Sequence, residues 1–429
     1  MIDANCSEMT WYEATVDRGA PRPALSGRVE ADACVVGAGL AGLTTALELA
    51  RRGKSVVLLE AKRVAWGASG RNGGFVSNGF AEGMGNVAKR VGLPAAQALY
   101  QLSRHGTEFV RREIAETDPS IKMGDGWQGC IRYSNAAEKQ AAVAEMTRDY
   151  GQPMEFFDVA ETRARVNTRR YFQSSYDPTA FHMHPLRYAL MIAQKAEAAG
   201  AKVFEMSPAM SVEKQGAVWS VRTAQGEVRT ANIVYCVSSL DRSLHQPTGR
   251  AVLPVATYVA VTEPLTQDVI RTRSAISDTR RAGNYYRLVD EGRLLWGGAI
   301  TTRVSEPAHL AERMRGDMVS VFPELGKPRI DYAWAGLMGY ARHFMPLIGT
   351  DGKGQWWATA FGGHGMNTTA MGGILMARAI GAKDDEYRRF DAYAPQWAGG
   401  PFGRVGVQAG YWYMQLKDRM DERRYGKAA

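Results

Sequence analysis

The chain has 429 residues, of which 45% are hydrophobic and 23% are charged, and its formal net charge at pH 7 is +9. This composition is typical of a soluble globular protein with two domains, or with one domain inserted into another. It excludes a membrane span, since no apolar run reaches about 18 residues, and the interleaving of basic with acidic residues argues against a nucleic-acid site.

The first predicted elements form a βαβ unit. Residues 33–36 predict a short buried strand, which a glycine turn at residues 37–42 connects to a helix. Gly53 ends this helix, and residues 55–59 predict a second strand with Glu60 at its carboxyl end. A glycine-rich turn between a strand and a helix, with an acidic residue after the next strand, predicts dinucleotide binding.

Each conspicuous residue of this unit has a physical role in that prediction. Gly37 permits the tight turn, and Gly39 lets a pyrophosphate approach the backbone N–H groups at the helix N-terminus. Gly42 lets the helix pack closely on the strand, and Glu60 is placed to accept hydrogen bonds from ribose hydroxyls.

A glycine-rich loop, WGASGRNGGF, follows at residues 66–75. Its glycines expose successive backbone N–H groups, and Ser69, Arg71 and Asn72 add side-chain donors. A nicotinamide enzyme would usually continue with another helix here, so the loop favours FAD, a longer and flatter cofactor. The alternative is a flexible surface loop.

The middle of the chain predicts a helix from Pro185 to Gly200, a strand at residues 201–206, and an antiparallel meander that ends in a separate return strand at residues 233–237. His182 and His184 precede the helix. Two histidines at this spacing without a third ligand favour a structural role, so we predict no metal.

The segment at residues 251–300 is rich in β-branched and aromatic residues, with a hairpin turn at residues 290–292, and predicts a separate antiparallel sheet. Residues 88–150 are expected to supply its helices. Near the C-terminus a strand at residues 355–361, a glycine turn and a helix are predicted, followed by an aromatic and charged tail.

Several segments together resemble one known family. In chain order they are residues 35–42 (VVGAGLAG), Glu60, residues 67–74 (GASGRNGG), 181–189 (FHMHPLRYA), 285–298 (YYRLVDEGRLLWGG), 332–349 (YAWAGLMGYARHFMPLIG) and 361–369 (FGGHGMNTT). This set resembles the D-amino-acid oxidase/glycine oxidase (DAO) superfamily of FAD enzymes, with the γ-glutamylputrescine oxidase group as the nearest pattern.

The resemblance implies an α/β fold (α+β overall), in which a Rossmann-like FAD-binding domain carries an inserted antiparallel-sheet substrate domain. The implied FAD-binding domain consists of residues 1–87, 157–240 and 332–429 with the C-terminal tail. The implied substrate domain consists of residues 88–156 and 241–331.

The resemblance also implies site residues. Those that it places at the FAD are Gly37, Gly39, Leu40, Ala41, Gly42, Glu60, Ala61, Gly67, Ala68, Ser69, Gly70, Arg71, Asn72, Gly73, Gly74, Ala209, Gly362, Gly363, Gly365 and Met366. The N-terminus of the last helix would stabilise the negative charge that develops on the reduced flavin. His364 is the candidate catalytic residue, with packing as its alternative role.

For the substrate pocket we predict four aromatic residues and Met338. The aromatic residues are Tyr258, Tyr285, Tyr286 and Trp296, and their alternative role is in the core of the sheet. Amino-acid oxidases of this superfamily hold the substrate carboxylate with an arginine just after a W-x-G-L-like segment. Met338 stands there, and a thioether cannot pair with a carboxylate, so we expect a substrate without an α-carboxylate unless Arg342 or Arg287 replaces that arginine.

The predicted activity is oxidation of a C–N bond of a small amine by hydride transfer to the flavin N5, giving an imine that hydrolyses. Three alternatives remain open: an imino-acid or amino-acid enzyme, a 2-hydroxy-acid oxidase or dehydrogenase, and a flavin subunit of a larger complex. Either O2 or an electron carrier would reoxidise the flavin.

The cysteines and the N-terminus complete the prediction. Cys6, Cys34, Cys130 and Cys236 form no C-x-x-C pair, which predicts reduced thiols in a cytoplasmic protein and argues against a redox disulfide. The N-terminal segment has no apolar signal region. We expect the FAD to be non-covalent, since no cysteine follows Cys236 and the loop at residues 66–75 has no histidine.

Overall fold

The computed structural model describes residues 9–280 and 283–425, so Cys6 and the rest of the N-terminal segment up to residue 8 lie outside it. The α-helices in these ranges are α1 (Trp11–Ala14), α2 (Leu40–Arg51), α3 (Met84–Val91), α4 (Leu93–Thr117), α5 (Ala136–Tyr150), α6 (Val159–Arg165), α7 (Pro185–Ala198), α8 (Gln246–Ala251), α9 (Leu310–Val321), α10 (Gly365–Ala382) and α11 (Gly400–Tyr425).

The strands in the same ranges are β1 (Gly27–Val36), β2 (Val56–Leu59), β3 (Phe75–Val76), β4 (Lys122–Cys130), β5 (Glu155–Phe157), β6 (Ser174–Met183), β7 (Lys202–Phe204), β8 (Ser211–Gln215), β9 (Val218–Arg222), β10 (Gly226–Tyr235), β11 (Val252–Pro264), β12 (Ala275–Asp278), β13 (Tyr285–Val289), β14 (Arg293–Thr301), β15 (Ile330–Ala341), β16 (Leu347–Thr350) and β17 (Gln355–Thr359).

The first sheet has the order β16-β17-β10-β1-β2-β7, and its central strands are parallel. Its strands are apolar on both sides because each face is covered. Val35 and Leu58 belong to the core that also contains α2, α7 and α10, whereas Cys34 and Val57 belong to the core on the opposite face. The predicted α/β class is confirmed.

Strand β10 differs from the sequence-based expectation. The third strand of the meander and the return strand are one continuous strand, Gly226–Tyr235. Its first half pairs antiparallel with β9, and along its length it pairs parallel with β1. One strand therefore serves both as the edge of the meander and as a central strand of the sheet. Local sequence periodicity does not distinguish one long strand with two partners from two shorter strands.

The second sheet has the order β15-β11-β14-β13-β12-β4-β6-β3, with β5 beside β6. All its pairs are antiparallel except β12 with β4, which is parallel, so the expectation of a purely antiparallel sheet is wrong at that pair. Strands β3, β6 and β15 also lie in this sheet, although the sequence-based boundaries place β3, β6 and most of β15 in the FAD-binding domain.

The C-terminal tail ends in α11, which lies against β11 and β14 of the second sheet. Within residues 9–280 and 283–425, no helix combines the length and the apolar character that crossing a membrane requires.

Candidate functional site

A cavity of about 520 Å³ runs between the carboxyl ends of the parallel strands of the first sheet and one face of the second sheet. The carboxyl end of a parallel sheet is where α/β proteins bind nucleotides. Most of the predicted FAD residues line this cavity. They are Gly37, Gly39, Leu40, Ala41, Glu60, Ala61, Gly67, Ala68, Ser69, Arg71, Asn72, Gly73, Ala209, Gly362, Gly363, Gly365 and Met366.

The N-terminus of α2 forms one end of the cavity. Gly37 has φ +102°, and a Cβ there would lie 2.8 Å from the carbonyl oxygen of Cys236. Gly39 precedes the helix, and Leu40 donates its backbone N–H to Ser69 Oγ over 3.0 Å. Gly42 does not line the cavity, since a Cβ there would lie 1.9 Å from the Gly37 oxygen. Its role is close packing of the helix on the turn.

Glu60 lies beside this helix end and is fixed by backbone donors. Its Oε2 accepts from Ala38 N over 2.8 Å, and its Oε1 accepts from Lys62 N over 2.9 Å. Burial raises the pKa of the carboxyl group, and these backbone hydrogen bonds oppose that rise. Each oxygen keeps a lone pair for a further donor, such as a ribose hydroxyl.

Two glycines of the loop at residues 66–75 face away from the cavity, contrary to the prediction. A Cβ at Gly70 would lie 2.4 Å from the Ala65 oxygen, and a Cβ at Gly74 would lie 2.2 Å from the Met183 oxygen. Both glycines are required by close backbone packing. The other residues of the loop line the cavity, and these two glycines pack the loop against the rest of the protein.

The side-chain amide of Asn72, which lies within the loop, partly fixes the conformation of the loop. Asn72 Nδ2 donates to the carbonyl oxygens of Ala68 and Ser69, each over 3.0 Å, and Asn72 Oδ1 accepts from Gly74 N over 2.7 Å. Such side-chain to backbone bonds replace the hydrogen bonds that regular structure would supply. The loop is therefore an ordered turn.

Three side chains from distant segments also hold the loop, and the sequence analysis assigned none of them this role. Tyr12 donates its hydroxyl to the backbone oxygen of Asn72 over 2.7 Å. Trp334 donates Nε1 to the backbone oxygen of Arg71 over 2.9 Å. Arg287 donates Nε to the backbone oxygen of Gly73 over 2.7 Å. They come from α1, β15 and β13. A long-range role of this kind leaves no local pattern in the sequence.

His364 immediately precedes α10 and lines the cavity. Its Nε2 lies 3.2 Å from the carbonyl oxygens of both Ser77 and Asn78, so it carries the proton and donates. Burial lowers the pKa of the imidazole, and the backbone acceptors only partly oppose this. The ring is therefore neutral at pH 7, with Nε2 already engaged.

Only one of the four aromatic residues predicted for the substrate pocket lines the cavity. Tyr285 lines the cavity, whereas Tyr258, Tyr286 and Trp296 do not. Tyr286 stacks on Trp296 with 4.4 Å between ring centroids, and Tyr258 donates its hydroxyl to the Ser305 oxygen over 3.1 Å. All three lie in the core on the other face of the second sheet. Adjacent residues of a strand point to opposite faces, so Tyr285 and Tyr286 cannot both face one cavity.

The Tyr285 ring needs glycines around it. It lies across Gly297 on the neighbouring strand, where a Cβ would come within 1.9 Å of the ring, and beside Gly73, where a Cβ would come within 2.7 Å. Burial raises the pKa of the Tyr285 hydroxyl to about 12, so it is protonated at neutral pH. Met338 also lines the cavity, and a Cβ at Gly363 would lie 3.6 Å from its sulfur.

The structure adds lining residues that the sequence analysis missed. Among them are Thr257, Ser277, Asp278, Asn284, Ile300, Tyr340 and Trp127. Trp127 donates Nε1 to Ser277 Oγ over 2.8 Å, and its ring lies 6.3 Å from that of His364, centroid to centroid. Asn284 donates to Asp278 over 3.0 Å. Trp127 lies on β4, in a segment that was expected to supply helices.

These residues fit a flavin dinucleotide. The N-termini of α2 and α10 both face the cavity, the Glu60 carboxylate lies near one of them, and Thr359 Oγ1 is a buried lining atom with no partner among the described residues. Gly37 and Gly39 leave backbone accessible where a side chain would fill the space.

Comparisons with known proteins agree with this geometry. The family model of DAO, FAD dependent oxidoreductase, matches residues 32–379. The chain is 32% identical to "Probable oxidoreductase OrdL" of Haemophilus influenzae over 90% of this chain and 92% of that protein. It is 30% identical to gamma-glutamylputrescine oxidoreductase of Escherichia coli over 96% and 98%.

Solved structures show the same fold. Glycine oxidase from Bacillus cereus superposes with a TM-score of 0.71 at 17% identity, over 85% of this chain and 98% of that chain. L-proline dehydrogenase from P. horikoshii superposes with a TM-score of 0.72 at 18% identity, over 88% and 100%.

Proposed function

The chain belongs to the DAO family of FAD-dependent oxidoreductases, and we propose that it oxidises a C–N bond of an amine with no carboxylate next to that bond. A hydride leaves the carbon and a proton leaves the nitrogen, so the C–N bond becomes an imine, which water converts to a carbonyl compound and the released amine. FAD, when bound, supplies the acceptor for the hydride.

The observation that carries this proposal is Met338 in the cavity wall, directly after the segment at residues 334–337. A thioether packs against an alkyl chain and offers a carboxylate no charged donor. Arg342 and Arg287 are the two arginines that could replace the missing carboxylate-binding arginine. Arg342 is exposed and Arg287 is buried against the glycine loop, and neither lines the cavity. This arrangement favours an uncharged alkyl segment beside the reacting carbon.

The groups that would hold FAD follow from the lining. We assign the backbone N–H groups of Gly39 and Ala41 to the pyrophosphate, because a helix N-terminus carries partial positive charge and unpaired donors. Glu60 would accept from a ribose hydroxyl, and Ala209 would lie beside the adenine. The N-terminus of α10 would face the pyrimidine edge of the flavin ring.

We assign His364 a positioning role. Its Nε2–H is taken by the backbone oxygens of Ser77 and Asn78, so this nitrogen neither accepts a proton nor donates one to a substrate without breaking those contacts. These bonds join the residue before α10 to the segment after β3. The substrate amine would lose its proton to solvent before binding, because an alkyl amine reacts in its neutral form.

We also propose that the FAD is non-covalent. Cys236 is the cysteine in the cavity lining, and burial raises the pKa of its thiol to about 12. Flavin attachment requires a thiolate, and this thiol stays protonated.

Acid precipitation should therefore leave a colourless pellet and a yellow supernatant whose flavin chromatographs as FAD. A yellow pellet would contradict non-covalent binding.

The substrate proposal is tested by mixing the purified holoenzyme anaerobically with primary and secondary alkyl amines, a γ-glutamylated polyamine and the matching α-amino acids. Flavin bleaching reports oxidation, and we expect a higher kcat/KM for amines than for their α-carboxylated counterparts. Admitting O2 afterwards separates an oxidase, which recovers its yellow colour, from an enzyme that needs a carrier.

Two variants of one position provide the control. Met338→Arg should move the preference towards α-amino acids by adding a bidentate donor, whereas Met338→Leu should keep the preference for amines. A wild-type enzyme that prefers α-amino acids, with that preference lost in Arg342→Ala, would overturn the proposal.

A further inference from the structure

Helix α11 (Gly400–Tyr425) carries six apolar side chains that are each more than half exposed. At about 100° per residue, these six side chains fall within an arc of roughly 100°, so they form one stripe along the helix. Their exposed fractions are 82% for Phe402, 71% for Val405, 65% for Trp412, 67% for Tyr413, 55% for Leu416 and 60% for Met420. At 1.5 Å per residue the stripe is about 27 Å long.

The opposite face of α11 is fixed to the second sheet by polar contacts. Gln408 Oε1 accepts from Thr301 Oγ1 over 2.8 Å and from Thr302 N over 2.9 Å. Glu422 pairs with Arg132 over 2.8 Å and with Arg280 over 3.0 Å. These contacts set the rotation of the helix about its axis, so the apolar stripe faces outward in the folded protein.

The charges on this helix are sorted by face. Lys417, Arg419 and Arg423 are exposed beside the stripe. Among residues 400–424, every carboxylate is at least partly buried: Asp418 is 7% exposed, and Asp421 and Glu422 are half-buried. The outward surface of α11 is therefore apolar, aromatic and basic, with no exposed carboxylate in that range.

We propose that α11 docks on an anionic lipid surface and lies in the plane of the interface. A helix that combines Trp, Phe and Leu on one face with Lys and Arg beside them has the chemistry of interfacial helices. The aromatic rings would enter the headgroup layer, and Lys417 and Arg419, one on each side of the stripe, would reach lipid phosphates.

The charges favour this occupant over a second copy of the chain. Two copies joined through their stripes would add basic groups to the contact, and neither exposed face provides a carboxylate to pair with them. An anionic lipid surface supplies the missing negative charge, and the net charge of +9 adds a long-range attraction.

The test is flotation of the intact holoenzyme with vesicles of phosphatidylcholine alone or with one-quarter phosphatidylglycerol. We expect binding to the anionic vesicles, loss of binding in ~0.5 M salt, and a blue shift of tryptophan emission on binding. The double variant Trp412→Ser/Leu416→Ser should lower the partition coefficient at least ~10-fold, and Lys417→Gln/Arg419→Gln should do the same.

The matched control is Met206→Ser/Met210→Ser, which removes two side chains that are 57% and 66% exposed elsewhere on the surface and should leave binding unchanged. Retained far-UV circular dichroism and flavin absorption show that each variant is folded. Failure of the wild-type protein to bind anionic vesicles would overturn the proposal. So would a dimer, measured by light scattering, that the Trp412→Ser/Leu416→Ser change converts to monomer without any vesicle binding.

Discussion

Arg287 is a buried cation whose guanidinium donates to backbone carbonyl oxygens and forms no described ion pair with a carboxylate. It is fully buried, and the described contacts of its guanidinium are the oxygens of Gly73 and Met183, His182 Nδ1, the Tyr12 hydroxyl and the Met123 sulfur. A buried charge is tolerated only when it is well hydrogen-bonded. This residue therefore connects the second sheet to the glycine loop that lines the cavity.

Replacing Arg287 with Met should lower the free energy of unfolding by about 3 kcal/mol, because the Gly73 and Met183 oxygens lose a buried donor. The dissociation constant for FAD should rise at least ~10-fold, since the loop loses a support. Urea unfolding and flavin fluorescence titration measure the two effects, and the exposed Arg303→Met is the control. An Arg287→Met protein with wild-type FAD affinity would show that the loop holds its shape without this arginine.

Two buried histidines make stability depend on pH. His182 Nδ1 accepts from Arg287, and its Nε2 donates to the Arg273 oxygen over 2.7 Å. His184 Nδ1 accepts from Arg187 N over 3.2 Å. Burial, together with the neighbouring arginines, lowers the pKa of each imidazole to about 3. Both are therefore neutral in the folded protein.

In the unfolded chain each histidine titrates near pH 6.5, so below that pH the unfolded state binds more protons. The stabilisation is complete above pH 6.5 and is lost progressively as the pH falls towards 3. Between pH 7 and pH 5 the free energy of unfolding should drop by roughly 2 kcal/mol per histidine. His184→Gln should remove its own share of this drop, roughly 2 kcal/mol, and the exposed His105→Gln should not change it. An identical slope in His184→Gln would refute the assignment.

At the residue scale, a larger share of the residues predicted at the dinucleotide than of those predicted at the substrate pocket lines the cavity. The βαβ signature fixes Gly37, Gly39 and Glu60 because their roles are local to one turn. Tyr285 and Tyr286 were both predicted to line the pocket, but they are adjacent, and alternation along a strand lets only one of them face the cavity. Which one does so depends on where the second sheet lies, and that is decided by tertiary packing.

At the element scale, we expect cofactor binding to depend most on the N-terminus of α2. Gly39 immediately precedes the helix, and a Cβ there would meet Ser69 Oγ at 3.0 Å, the atom that accepts from Leu40 N. A side chain at this position would therefore both displace Ser69 and occupy the space in front of the helix dipole.

Replacing Gly39 with Val should abolish stoichiometric FAD binding while leaving the secondary structure largely formed. The flavin-to-protein absorbance ratio after gel filtration measures occupancy, and circular dichroism measures folding. Gly316→Ala is the control, because a Cβ there meets nothing within 4 Å. A Gly39→Val protein that retains one FAD per chain would contradict the proposed pyrophosphate site.

Elements were predicted well where hydrophobic periodicity and glycine turns are local. The helix from Pro185, the hairpin at residues 290–292 and the helix after His364 are confirmed. Strand β4 was missed because its sequence, KMGDGWQGC, has three glycines and little β-propensity. β4 is a strand because it pairs with β6 and β12, and these partner strands lie up to about 150 residues away in the chain.

At the scale of the whole molecule, the chain passes repeatedly between the two sheets. The first sheet takes strands from residues 27–59, 202–235 and 347–359, and the second takes them from residues 75–183 and 252–341. Neither sheet is a continuous piece of chain, and the largest core cluster contains residues of both. Sequence composition indicated two domains, but because of this interleaving we expect the two sheets to unfold as one cooperative unit.

Because the cavity is lined by both sheets, FAD should stabilise the whole molecule. Ligand binding to the native state alone adds about 2.7 kcal/mol when free FAD is 100 times its dissociation constant. For a chain of this length the unfolding entropy converts that to a rise in Tm of roughly 3 °C. Far-UV circular dichroism follows the backbone of both sheets. Tryptophan fluorescence follows all ten tryptophans, which include Trp296 and Trp334 in the cores. The two signals should coincide in one transition that moves upward with FAD concentration in the apoprotein. Two separate transitions, of which FAD moves only one, would show that the sheets unfold independently and that the cofactor belongs to one of them.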